Sequence, residues 1–238
     1  GGSMPKPGEV SLAHRGVLFL DELPEFSRYV LDALRQPLED RVVTIARARM
    51  TVRFPTHFLL AAAMNPCPCG FGGVTSSGGS GRCTCTPMMV ERYRRKLSGP
   101  LLDRIDLQAE VPAVDVEKWS GNRDRAPLTS AMMREQVIRA QHIQRDRYAK
   151  TGILFNGELS GSDLASHAPL TKEASDLLKS AFRHLALSAR AWERVLKMAR
   201  TIADLEGADP IDTRHVAEAV QYRVMDRARR EFFGNRES

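Results

Sequence analysis

No glycine–lysine pair occurs anywhere in the 238 residues. The phosphate-cradling loop Gly-x-x-x-x-Gly-Lys-Ser/Thr is therefore not encoded in this chain. Long apolar runs are missing as well: 42% of the residues are hydrophobic, yet none of their runs approaches the ~18 positions of a membrane span. No signal-peptide pattern opens the chain, and no internal repeat is seen. A soluble, cytoplasmic globular protein of one large or two modest domains is expected, with no membrane partner. Cysteine is absent outside one short stretch, all four residues lying between positions 67 and 85.

What charge there is lies unevenly. Residues 41–53 carry four arginines and no acid, and residues 82–104 carry six basic against two acidic side chains. These stretches hold +8 while the whole chain nets +6, leaving −2 for the remainder. Concentrated basic charge suits a polyanion such as nucleic acid or a nucleotide; ordinary solvated faces are the plainer alternative.

The cysteines form two Cys-x-Cys pairs, Cys67/Cys69 and Cys83/Cys85, around a Gly/Ser-rich loop of 13 residues. Each pair can turn both thiolates onto one ion, and a flexible loop can bring the pairs together into a tetrahedron. A structural Zn²⁺ is the expected occupant, with a disulfide or redox pair and unligated thiols as alternatives.

In "GVLFLDELPEF", four apolar residues, Val17 to Leu20, end abruptly in Asp21 and Glu22. The run reads as a buried strand delivering two carboxylates past its end. "LPEFSRYVLDALRQPLED" reads as a short helix capped by Ser27 and limited by Pro37. "RVVTIARARMTVRFP" alternates from Ala46 to Phe54, as one strand or as a tight hairpin turning near Arg47-Ala48-Arg49. "HFLLAAAMN" is a second apolar run ending in a polar residue, Asn65. This order predicts an α/β domain with parallel strands, whose functional groups gather at the strands' carboxyl ends. From Pro112 the pattern becomes helical, and one segment carries the stripe Trp192, Val195, Leu196, Ala199, Ile202, Ala203, closed by Gly207. The expected division is a core over 1–112, a linker over 113–127 and a helical domain over 128–238.

Each motif has a plain and a chemical meaning. Apolar residues followed by Asp-Glu are common. In a nucleotide hydrolase, however, an Asp so placed holds Mg²⁺, usually through water, and the next Glu orients or deprotonates the attacking water. Asn65 is either a turn former before Pro66 or the side chain that positions that water. Arg104, between Asp103 and Asp106 in "SGPLLDRIDL", is either a surface ion pair or an arginine finger. Arg190 is either a solvated helix residue or a phosphate contact.

Taken in order, "PGEVSLAHRGVLFLDELPEF", "AAAMNPCPCG", "SGPLLDRIDL" and "LSARAWERVLKMARTIADLEG" resemble the signatures of the competence-protein (ComM, YifB) group of magnesium-chelatase-like AAA+ ATPases. The resemblance covers nearly the whole chain, and the opening "GGSMPKPGEV" then reads as native. It implies Walker B at Asp21 and Glu22, sensor 1 at Asn65, an arginine finger at Arg104 and sensor 2 at Arg190. It also makes segment 42–54 similar to a hairpin that points toward DNA in related helicases, with Arg47 and Arg49 as phosphate contacts. The implied fold is a partial AAA+ parallel-sheet core from Walker B onward, with a β-hairpin, followed by a small all-helical lid. The implied cofactors are ATP and Mg²⁺, and the implied assembly is a homo-oligomeric, hexameric ring acting on DNA. Family members carry the P-loop and a Lon-protease-like domain upstream of where this chain begins, so a C-terminal fragment inactive by itself is expected. Two other functions remain in view: a motor subunit for metal insertion into a porphyrin, as in magnesium chelatase, and a non-enzymatic zinc-bearing binding module.

Overall fold

A computed structural model describes residues 5–47, 50–72, 83–111, 128–185 and 187–223. The chain divides into two compact units, residues 1–105 and 106–238. Segment 113–127, the expected linker, lies outside the described residues.

The first unit is mixed α/β. After a one-turn helix α1 (Glu9–Leu12), strand β1 (Val17–Leu20) pairs in parallel with β4 (Leu59–Ala62), in the register Val17↔Leu59 to Leu20↔Ala62. Two parallel strands need a crossover connection. Here it contains helices α2 (Arg28–Ala33) and α3 (Arg35–Asp40) and the hairpin β2 (Val42–Arg47) and β3 (Met50–Pro55).

Ser27 caps α2 as expected, its hydroxyl accepting from the Val30 amide at 3.4 Å. Pro37 does not limit a helix. It sits buried inside α3, at the third helical position, where an N–H has no partner within the helix and its loss is harmless. The alternating segment is a hairpin, with Val42↔Pro55 to Arg47↔Met50 paired antiparallel. Thr56 donates its amide to the Arg41 carbonyl at 2.9 Å, closing the base of the hairpin.

The expectation of a fully buried β1 is not met. Val17 is 58% and Phe19 62% exposed, while Leu18 and Leu20 are half-buried. A parallel strand is buried on both faces only when elements cover both. Among the described residues this sheet has two strands, and Val17, Phe19 and Leu59 remain open. The core of this unit gathers instead around Leu23, Leu31, Leu34, Tyr93, Leu97, Leu101 and Leu102. Helices α4 (Pro87–Arg94) and α5 (Gly99–Leu102) contribute Tyr93, Leu101 and Leu102 to it.

The second unit is built from α6 (Ser130–Tyr148), α7 (Ser162–His167), α8 (Lys172–Leu185), α9 (Ala189–Glu206) and α10 (Thr213–Gln221). The stripe read on α9 faces the core: Val195, Ala199 and Ala203 are fully buried, Leu196 and Ile202 nearly so. Trp192 packs edge-on to Phe182 at 5.3 Å between ring centroids. Gly207 ends the helix in the left-handed conformation at φ 70°, where a residue without Cβ is unstrained. No helix among the described residues is long and apolar enough to cross a membrane.

The same face of α9 also buries two charges. Arg200 and Asp204 are one turn apart and fully enclosed. Asp204 accepts from Arg200 Nε at 3.0 Å, from Arg147 Nη1 at 2.9 Å and from Asn156 Nδ2 at 2.8 Å. Asn156 accepts in turn from the Tyr148 hydroxyl at 2.6 Å. Arg200 also donates to the Ala208 carbonyl and to Asp209. A charge is tolerated inside a protein only when so fully satisfied.

Candidate functional site

The parallel pairing of β1 and β4 brings the polar residues that follow both strands to one end of the sheet. The ladder continues past the strands: Ala63 donates its amide to the Leu20 carbonyl, and Leu23 donates to the Ala63 carbonyl, each at 2.9 Å. Asp21 and Glu22 lie within this continuation, and Asn65 follows two residues after Ala63. All three are exposed. The carboxylates thus stand beyond the apolar strand and incur little desolvation.

Glu22 adopts a left-handed backbone conformation, φ 49° and ψ 46°. Such a conformation costs a non-glycine residue roughly 1–3 kcal/mol, and strain of this kind concentrates at functional sites. It is held from both sides. The Glu22 amide donates to Asp21 Oδ1 at 2.8 Å, its carbonyl accepts from the Glu25 amide at 2.7 Å, and the following Leu23 and Pro24 are buried. Nothing in the local sequence signals this bend, which turns two neighbouring acids out of line with the strand.

Asn65 leads directly into the cysteine cluster. The four sulfur atoms lie within 4.8 Å of one another, with Cys67 Sγ 3.3 Å from Cys69 Sγ and 3.7 Å from Cys83 Sγ, and Cys69 Sγ 3.6 Å from Cys83 Sγ. Tetrahedral zinc with Zn–S bonds of about 2.3 Å sets its sulfurs about 3.8 Å apart. The cluster is close to that size, and its thiols are free rather than disulfide-bonded. The donor set fits zinc. The turn that forms it relies on glycine: Gly70 has φ 82°, and Gly72 donates its amide to Cys67 Sγ at 3.1 Å. A Cβ on Gly72 would meet Cys67 Sγ at 3.0 Å. The Phe71 main chain and Cys67 lower the Cys69 thiol to about 6, whereas burial pushes Cys85 up to about 12. Thiols crowded this closely do not all ionise alike without a cation among them.

The arginines are placed differently from one another. Arg104 does not pair with the acids flanking it in sequence. Its guanidinium is bound by Glu39 of α3 and donates to the Pro100 carbonyl at 2.7 Å, and only 7% of its side chain is exposed. Its Nε is buried without a partner. Asp106 pairs instead with Arg194. Arg190 lies exposed in the first turn of α9, behind Ser188, whose hydroxyl caps the helix. Arg49 and the side chain of Arg47 lie outside the described residues. Sequence reasoning missed Glu39, Gly72 and the left-handed Glu22. Of these, only Gly72 carried a signal, in the spacing Cys-Pro-Cys-Gly-Phe-Gly.

Two family models match the chain: magnesium chelatase, subunit ChlI, over residues 1–119, and the C-terminal model of the same subunit over residues 127–223. Competence protein ComM of Haemophilus influenzae is 46% identical across 95% of this chain and 42% of its own length. YifB of Salmonella typhimurium is 44% identical across 95% of this chain and 43% of its own. The magnesium-chelatase 38 kDa subunit of Cereibacter sphaeroides is 22% identical across 95% of this chain and 58% of its own. The chain thus spans less than half the length of the ComM and YifB relatives. On its order of motifs and these matches, the chain belongs to the magnesium chelatase ChlI family, in its ComM/YifB-like branch.

Proposed function

We propose that this chain supplies the hydrolytic half of an ATP site in an AAA+ ring motor that acts on DNA. The observation that carries the reading is the common end of β1 and β4, where Asp21, Glu22 and Asn65 leave adjacent parallel strands and remain open to solvent. Hard carboxylate oxygens are the donors Mg²⁺ selects. Bound with a nucleotide, that ion would neutralise charge on the phosphates. Asp21 would hold that ion, Glu22 would orient and deprotonate the attacking water, and Asn65 would position that water from the neighbouring strand. Arg104 acts on a neighbouring subunit's phosphates, and Arg190 contacts nucleotide from the helical unit, which serves as the lid. The phosphate cradle comes from outside this sequence, so the chain alone neither binds ATP tightly nor turns it over.

Glu22→Gln in the full-length protein tests the site. Hydrolysis should fall by at least ~10²-fold while ATP binding persists; unchanged turnover would refute the assignment. DNA as the client is supported by the four arginines of residues 41–53 and by the hairpin that carries Arg47. Changing Arg47 and Arg49 together to Ala should weaken binding of single-stranded or branched DNA and flatten its salt dependence. The relationship to the magnesium-chelatase subunit favours a second client, a porphyrin-bearing partner. Stimulation of the ATPase by that partner, and not by DNA, would select it. The hexameric ring and a cytoplasmic location belong to the same proposal.

A further inference from the structure

We propose that the four-cysteine cluster is a zinc site whose task is to fix Asn65, clamping the main chain on either side of the loop against helix α4. The inference rests on the reading of Asn65 as a residue of the hydrolytic site.

The clamp is a closed circuit of short links. Asn65 and Pro66 run straight into Cys67, which is fully buried. At the far end of the loop, Cys85 is followed by Thr86, whose hydroxyl accepts from the Met89 amide at 3.3 Å and starts α4. The last turn of α4 then returns to the beginning of the loop. Arg94 Nη2 donates to the Pro66 carbonyl at 3.5 Å, next to Tyr93 in the same turn. Tyr93 is itself buried in the core of the unit.

A cation held by Cys67, Cys69, Cys83 and Cys85 is the link that closes this circuit. It ties the segment carrying Asn65 to the start of the helix that braces it. Without the ion, the two Cys pairs lie 13 residues apart along the chain, and closing a loop of that length costs conformational entropy. Metal binding therefore becomes local ordering, as it does in small zinc domains. Four thiolates at tetrahedral spacing select zinc over magnesium, so this ion does not serve the phosphates.

The test uses the full-length protein purified with zinc present. One zinc per chain is expected, and cobalt substitution should give a thiolate-to-metal charge-transfer band. Less than about half an equivalent of zinc overturns the proposal. Chelation, or Cys83→Ser with Cys85→Ser, should raise amide exchange over residues 65–72 by about tenfold or more. It should also lower kcat by about tenfold or more, with nucleotide affinity kept within about twofold. Zinc that binds and can be removed with neither exchange nor kcat changing sinks the clamp. Asn65→Ala should lower kcat with zinc still bound. If it leaves kcat unchanged, the reading of Asn65 fails, and the exchange measurement alone then decides the clamp.

Discussion

Arg104 and Glu39 are 65 residues apart in sequence and joined in space, the guanidinium of one bound by the carboxylate of the other. The pair gives the proposed finger a resting place within its own subunit. To reach a neighbour's phosphate, Arg104 has to leave Glu39 and the Pro100 carbonyl. Arg104→Ala in the full-length protein should lower turnover by ~10³-fold or more. Glu39→Gln should preserve turnover, because it loosens the resting contact and leaves the finger intact. Turnover lost equally in both variants would mean that Glu39 aims Arg104 rather than storing it.

Asp204 is the acid on which the helical unit's buried charges converge. Asp204→Asn keeps the shape but leaves Arg200 and Arg147 without their shared counter-charge. Breaking one partner of such a pair costs about 3–5 kcal/mol, read as a lower midpoint in urea denaturation. Thr201→Ala, which removes the hydroxyl that accepts from Asn156 and donates to the Lys197 carbonyl, should cost about 1 kcal/mol. Equal effects from the two would contradict this account.

Gly72 is required for close approach to a thiol. A methyl group there would meet Cys67 Sγ at 3.0 Å and Cys67 Cβ at 3.1 Å. Gly72→Ala should weaken zinc affinity by about tenfold or more, in the range typical of residues supporting a metal ligand. Competition against a chelator measures it; unaltered affinity would mean that the turn yields without effect on the ligands.

Asp212 caps α10, accepting from the Thr213 amide at 2.6 Å. That amide, then the Thr213 hydroxyl, hold its carboxyl below the usual range. A depressed folded-state pKa contributes stability above the unfolded value of about 4, and that contribution is lost as pH falls through the folded pKa. The Thr213 amide proton should titrate with a midpoint below 4, and Asp212→Ala should abolish the titration. A midpoint at or above 4 would reverse the sign.

What could be read along the chain was local. Ser27 and Gly207 mark helix ends because capping depends on residues a turn apart. The stripe on α9 follows from its 3.6-residue period, and the parallel strands follow from two apolar runs separated by a crossover. The cysteine cluster was legible because four donors fell in one short stretch. Other features were hidden for physical reasons. Arg200 and Asp204 have the i, i+4 spacing of a solvated ion pair, and only the distant Arg147 and Asn156 show why they are buried. Glu39 carries no signal of its role because its partner is far away in sequence. Pro37 reads as a stop unless the start of α3 is known. The exposure of Val17 and Phe19 depends on what surrounds the sheet, which an apolar run does not specify.

The β2–β3 hairpin has a mechanical consequence. Six paired residues on each strand span roughly 17–20 Å from base to far end, and the ladder from Val42↔Pro55 to Arg47↔Met50 leaves no unpaired step at which to fold. Such a ribbon works as a lever. A small tilt at the Arg41–Thr56 base becomes a displacement of several ångströms at the Arg47 end.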